Sequence, residues 1–289
     1  MTTDRASSGQ RSQPAEGNAS GTVLAEDASS GSNAGSEPSA DGLEPSSAPS
    51  PAERIAGSGD VLLLCDHAAS AVPAGIAIPA DLLARHIGVD IGAGPLTRAL
   101  AARIGAPAIL GAWSRLVIDL NRPADHPTLV PSTSDGHPIA ANAGADVFAR
   151  IATFHAPYHR AIAAQLRRQH PRLVVAIHSF TPRLESGDTP NRHWECGILW
   201  DRDPRAARPA IAFLARAGLI VGDNEPYSGR LLNGTLDRHA EARGIPSISV
   251  EVRNDLIGDA AGVERWTDIL ARMIAEVRER LARRPRPAT

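Results

Sequence analysis

From residue 60 onward the chain alternates two hydrophobic patterns. Short continuous apolar runs predict strands covered on both faces: Val61-Leu62-Leu63-Leu64-Cys65, Pro107 to Leu110, Leu116-Val117-Ile118-Asp119-Leu120, Leu173 to Ile177, Cys196 to Trp200, Leu219 to Val221 and Ile248 to Val252. Between them, apolar residues recur every three or four positions, which predicts helices. These run from Asp81 to about His86, from Pro95 to Arg103 with Gly105 as a stop, from Asp146 to Gln169, and from Ala206 to Ala217 before Gly218. A short helix capped by Thr235 ends at Gly244 and Pro246, and a long amphipathic helix carries Val263, Trp266, Leu270, Met273, Ile274, Val277 and Leu281 on one side. Pro157 falls inside the 146–169 pattern and is expected to kink or split that helix. Strands alternating with helices predict an α/β protein: a mixed, mostly parallel central sheet with helices on both faces.

The first 56 residues break the pattern. They are rich in Ser, Gly, Ala and Pro and nearly lack large apolar side chains, so they cannot offset chain entropy by burial and are expected to be a disordered tail. Residues 57–289 are expected to form a single domain. The chain is 43% hydrophobic, enough for a full core, and its net charge of −2 gives no electrostatic case for nucleic acid or an anionic membrane. All 30 basic side chains are arginine, a compositional habit rather than a binding surface. Cys65 and Cys196 sit in apolar runs and read as buried thiols, not a disulfide framework. The N-terminus has no signal-peptide core, and no run approaches the ~18 apolar residues of a membrane helix, so a soluble cytoplasmic protein is expected.

The chemistry gathers at predicted strand ends. His67 follows the first strand, Asn121 and Arg122 follow the 116–120 run, His178 follows 173–177, and Glu251 lies inside 248–252 just before Arg253. In open α/β sheets ligands bind beyond the carboxyl ends of the strands. Two imidazoles and a carboxylate suit an open zinc site that lowers the pKa of a bound water, with a separate carboxylate as proton acceptor and arginines for an anionic substrate. On this reading His67 and His178 are ligands of one Zn2+ per chain. Asp90, in Gly88-Val89-Asp90-Ile91-Gly92, is the best third ligand, although a helix cap accounts for it equally well. Glu251 is the general base, unless it only pairs with Arg253, two residues along the same strand face. His155 and His159 form a rival i,i+4 pair, but the zincin glutamate is absent and Pro157 disturbs the helix.

Several ordered motifs then resemble one family. They are Cys65-Asp66-His67-Ala68-Ala69-Ser70, His86-Ile87-Gly88-Val89-Asp90-Ile91-Gly92-Ala93, Ser114-Arg115 with Asp119-Leu120-Asn121-Arg122-Pro123, Pro157-Tyr158-His159, His178-Ser179-Phe180-Thr181-Pro182, Asn224-Glu225-Pro226-Tyr227-Ser228-Gly229 and Glu251-Val252-Arg253-Asn254-Asp255. From about Leu62 to Ile257 the chain resembles the N-formylglutamate amidohydrolases and their close relatives. The resemblance implies a phosphorylase/hydrolase-like fold related to the zinc carboxypeptidases, and hydrolysis of N-formyl-L-glutamate to formate and L-glutamate, a late step of histidine breakdown. It implies that Asn121 and Arg122 grip the α-carboxylate of a small acidic substrate, that Arg115 stabilises the oxyanion or binds substrate, and that Arg253 pairs with a substrate carboxylate or orients Glu251. Tyr158, His159 and the 224–229 loop would line the pocket. The carboxypeptidase-type Glu three residues after the first histidine is absent, since position 70 is Ser.

Overall fold

The computed structural model describes residues 50–187 and 191–283, so the predicted tail lies outside the described residues as far as residue 49. Its end is structured. Ala52–Ile55 forms strand β1 at the edge of the sheet, where the expectation was a tail running to 56. In chain order there follow β2 (Val61–Cys65), α1 (Ala80–Leu83), α2 (Ala93–Ile104), β3 (Ala108–Gly111), a small hairpin of β4 (Thr133–Ser134) and β5 (His137–Pro138), α3 (Val147–Arg150), α4 (Ala156–Gln169) and β6 (Leu173–Phe180). The second half holds β7 (Cys196–Leu199), α5 (Ala207–Arg216), β8 (Val221–Asp223), α6 (Gly229–Leu232), α7 (Gly234–His239), β9 (Ser247–Arg253) and α8 (Ala260–Ala282).

Seven strands form one sheet in the order β1-β3-β2-β6-β9-β7-β8. The run β3-β2-β6-β9 is parallel throughout, β7 joins β9 antiparallel, and β1 joins β3 antiparallel. The mixed, mostly parallel sheet is therefore as the sequence pattern predicts. Alternation along the central strands splits the core in two. Leu63, Val175, Ile177 and Val250 face α2, α5 and α8, while Leu62, Leu64, Val174 and Ala176 face Tyr158 and Ile162 of α4. Continuing that alternation puts His178 and Glu251 on the α4 face, at the carboxyl ends of β6 and β9. Among the described residues no helix is long and apolar enough to cross a membrane.

Two local expectations fail for identifiable reasons, and a third holds. The run Leu116–Leu120 is buried but is no strand. Ser114 captures the backbone with its hydroxyl and carbonyl (Leu116 N to Oγ 3.2 Å, Val117 N to O 2.9 Å), closing a turn instead. The carbonyls of Leu116 and Val117 are then satisfied by Asn142 Nδ2 at 2.9 Å and by the buried Arg150 Nη1 at 2.7 Å, which spares them the cost of an unpaired polar group. The helix around Pro157 is split as predicted: a π-helical turn over Ile151–His155 separates α3 from α4, with the proline in the first turn of α4, where its missing N–H costs nothing. Thr235 is not a cap. It lies inside α7 behind Asn233, and its hydroxyl is used elsewhere.

Candidate metal centre and active site

Three strands and one turn build a single cavity of about 370 Å³. β2 runs out into Asp66 and His67. β6 carries His178 within the strand, two residues before its end rather than after it. β9 carries Glu251. The loop before α2 supplies Asp90, and Gly92 makes that loop possible: its φ is +81°, and a Cβ there would lie 2.2 Å from the carbonyl oxygen of Ile257.

His67, Asp90 and His178 come together, each 2–3% exposed. The Nδ1 atoms of both histidines point at one oxygen, Asp90 Oδ2, at 3.3 Å from His67 and 2.8 Å from His178. One ligand atom from each residue lies within 4.8 Å of the others. Tetrahedral zinc with bonds of ~2.0 Å spaces its ligand atoms at about 3.3 Å, so the donor set and its spread suit a divalent cation. Each imidazole turns its other nitrogen to a second carboxylate: His67 Nε2 to Asp119 Oδ1 at 2.7 Å, His178 Nε2 to Asp66 Oδ2 at 3.2 Å. A carboxylate behind the imidazole fixes the tautomer and ring orientation of a ligating histidine. Asp66 is held in turn by the hydroxyls of Tyr158 and Thr235, both 2.8 Å from Oδ1.

The electrostatics of this cluster call for positive charge. Burial alone would favour neutral carboxyls, yet Asp66 is drawn down to about 2 by the adjacent His178, then by His67 and Thr235. Burial likewise opposes ionisation of Asp90 and Asp119, and each is held below the ordinary aspartate range by His67 together with Arg115 and, for Asp90, His178. Burial works against protonated His178, but Asp66, Asp90 and Glu251 push its pKa well up. Glu251 goes the other way. Its burial, opposed by His178 but reinforced by Asp90, lifts it to about 7. Its Oε2 is buried with no hydrogen-bond partner, the mark of a carboxylate waiting for a proton or a water.

The remaining sequence candidates separate. Arg115 lines the cavity and braces the cluster, with Nη1 3.2 Å from Asp90 Oδ1 and Nη2 2.8 Å from Asp119 Oδ2. Arg122 lines the cavity with its Nε 3.9 Å from Asp119. Asn121 also borders the cavity, but its amide is spent on backbone, donating to Leu232 O at 3.1 Å and accepting from Thr235 N at 3.0 Å. Arg253 is not part of the cavity wall. It pairs with Asp255 at 2.8 Å and donates to the carbonyl of Trp194, and it does not pair with Glu251. Tyr158 and His159 are likewise not wall residues but lie buried behind the site, Tyr158 on Asp66 and His159 on Leu120 O. From the 224–229 loop Tyr227 does reach the cavity, its hydroxyl accepting from Arg192 Nη1 at 2.9 Å. Sequence reasoning passed over Asp119. Its signal was its place four residues after Arg115 and two before Asn121. It also passed over the outer wall, where His86 Nε2 meets Asp135 Oδ2 at 2.9 Å.

Fold and site define the class: a mixed α/β sheet protein with a buried histidine–aspartate centre at the carboxyl ends of its parallel strands. A profile of the N-formylglutamate amidohydrolase family matches residues 59–258. The chain belongs to that family. It is 31% identical to a structurally characterised gene product of Agrobacterium tumefaciens, over 81% of this chain and 97% of that one, with a TM-score of 0.75. The fold is shared with N-formylglutamate amidohydrolase from Ralstonia eutropha, at 20% identity and a TM-score of 0.62 over 81% and 99% of the two chains. An N-formylglutamate deformylase of Pseudomonas aeruginosa is 28% identical over 159 residues, which span 48% of this chain and 59% of that protein.

Proposed function

We propose that this chain hydrolyses the amide bond of an N-acyl acidic amino acid, N-formyl-L-glutamate being the first substrate to test, with one zinc ion held by His67, Asp90 and His178. The observation that carries the reading is the meeting, in one cavity, of the His67-Asp90-His178 cluster, the unpartnered Glu251 carboxylate and the Arg122 guanidinium. Zinc bound there would acidify a water and polarise the scissile carbonyl.

The chain's own groups do the rest. Arg122 takes the substrate α-carboxylate, a bidentate match of charge and shape. Glu251 removes a proton from the attacking water as its oxygen bonds to the acyl carbon, and returns that proton to the leaving nitrogen as the C–N bond breaks. The products are the acid (formate, for a formyl substrate) and the free amino acid. Arg115, tied to Asp90 and Asp119 but 28% exposed, turns its outer face to the charge that grows on the carbonyl oxygen. Asp66 and Asp119 hold the two imidazoles in register. We further propose that this activity operates inside the cell, late in histidine breakdown, a reading the family resemblance supports.

The test is a hydrolysis screen of N-formyl and other N-acyl amino acids, run on the metal-stripped protein with and without added zinc. Zinc-restored release of free amino acid from an N-acyl acidic substrate supports the reading. Tight binding of such compounds with no turnover at any zinc level would make the protein a binder instead.

A further inference from the structure

Behind the cavity lie three histidines that the proposed reaction does not use. His155 closes the π-helical turn, His159 stands one turn on in α4, and His239 ends α7. They are 1%, 2% and 2% exposed. A buried imidazole costs free energy unless its nitrogens find partners, and here the partners are two carbonyls of a single short turn and the neighbouring histidines. His159 Nε2 lies 3.1 Å from the carbonyl oxygen of Leu120, and His155 Nε2 lies 2.9 Å from that of Arg122. Those two carbonyls bracket Asn121 in the turn that carries Asp119 and presents Arg122.

The proton positions follow from the partners. A carbonyl only accepts, so His155 and His159 both carry hydrogen on Nε2, and although these two nitrogens lie 3.1 Å apart, each N–H is directed at its own carbonyl and neither bonds the other. Burial first, then neighbouring histidines, depresses His159 to about 3. Burial also lowers His155, and it takes His239 to about 4 with help from Arg238 and Arg243. All three rings are therefore neutral. The bare Nδ1 of His159 accepts from His239 Nε2 at 2.9 Å, which locks the tautomer that points an N–H at Leu120. His159 turns Nδ1 to His239 and Nε2 to Leu120 and His155, so the three rings form a chain, and among the described residues only His67, Asp90 and His178 bring three ligand atoms together.

The rest of the turn is held from its other sides. Asn121 N donates to Asp119 Oδ1 at 3.0 Å, Arg122 N to Asp119 O at 3.1 Å, and the Asn121 amide is tied to α6 and α7. The underside, toward α4, is gripped by the histidines. We infer that His155 and His159 are positioning residues for Arg122: by pinning the carbonyls of Leu120 and Arg122 they set the direction in which the guanidinium enters the cavity, and with it the preference for substrates that carry an α-carboxylate. The inference rests on the proposed role of Arg122, and its test keeps the two apart.

Steady-state kinetics are compared for an N-formyl amino acid and its α-amide, in wild type, Arg122→Ala, His155→Leu, His159→Leu, and each histidine variant combined with Arg122→Ala. A misdirected anchor costs binding more than chemistry, so each leucine variant should raise KM for the acid about tenfold while kcat and the reaction of the amide change little. In the Arg122→Ala background the same replacements should add nothing, the non-additivity of residues that act through one group. His155→Gln and His159→Gln, whose side-chain N–H can reach the same carbonyls, should restore the acid preference. If Arg122→Ala leaves that preference intact, the anchor itself is wrong. If Arg122→Ala removes it but the leucine variants slow acid and amide alike, or add to Arg122→Ala, only the positioning role is wrong. Should the leucine variants fail to fold, His155→Asn and His159→Asn, polar but too short to reach, take their place. Unfolding of those too would show the pair to be structural and overturn the inference.

Discussion

His178 and Glu251 stand directly opposite one another on neighbouring parallel strands, paired Cα to Cα across β6 and β9. Directly paired residues share a sheet face, so the imidazole and the carboxylate enter the cavity side by side. His178 spends Nδ1 on Asp90, while Glu251 keeps an oxygen without a partner. In the proposed mechanism, a metal ligand and a base fixed to adjacent rigid strands would hold their separation better than residues on loops could.

Glu251→Gln keeps the shape and removes the base. Turnover should fall by about 10²–10⁴, the usual worth of a general base, with an unchanged circular dichroism spectrum and unchanged zinc content. Activity within a few-fold of wild type would take Glu251 out of the mechanism.

The pH profile follows from the same residue. A base must be ionised to accept a proton, and burial has raised Glu251 to about 7. The rate kcat/KM should therefore fall as the pH drops through the Glu251 pKa. A bound divalent cation draws that pKa down, so the acid limb lies at or below about 7 yet above the ~4.3 of an ordinary glutamate. Measurement from pH 4 to 9 decides it. A profile flat down to pH 4 is incompatible with this base.

What the sequence disclosed and what it hid divide along physical lines. Short apolar runs placed β2, β6 and β9 to within a few residues, because buried parallel strands are apolar on both faces. Their ends then pointed to His67, His178 and Glu251 without any structure. The 116–120 run was misread because a buried turn and a buried strand are equally apolar, and only the capture of the backbone by Ser114 distinguishes them. Arg253 looked like a partner for Glu251 on spacing alone, but its side chain turns to Asp255 beyond the end of the strand. The roles of Asp119 and Asp66, and the place of His239 behind His159, escaped notice because they depend on contacts across more than 50 residues, which no local pattern records.

The outer carboxylates should matter to the metal, not to the fold. Asp119→Asn and Asp66→Asn keep hydrogen bonding but withdraw the negative charge behind each imidazole. Zinc affinity should drop about 10–100-fold in each, measured by competition with a chromogenic chelator. His67→Ala and His178→Ala should lose stoichiometric zinc altogether. Wild-type affinity in both asparagine variants would mean that some other set of residues holds the ion.

Asp237 offers a stability test away from the cavity. It lies in α7 with Oδ1 buried and unpartnered, and burial, then Asp201 and Glu241, raise its carboxyl to about 6 from an ordinary 3.8. The folded state thus binds this proton more tightly than the unfolded chain does. The contribution to stability is fully present below about pH 4 and is lost as the pH rises through 6, beyond which the folded protein carries an unwanted charge. Asp237→Asn removes the charge in both states. It should leave stability unchanged at pH 4 and raise it at pH 8 by about 1 kcal/mol, a figure already reduced because the side chain is only half buried. For a folded domain of this size that is a gain of about 2–4 °C in Tm. Thermal melts of the two proteins at both pH values provide the check, and a variant less stable than wild type at pH 8 would show that the carboxylate has a partner worth keeping.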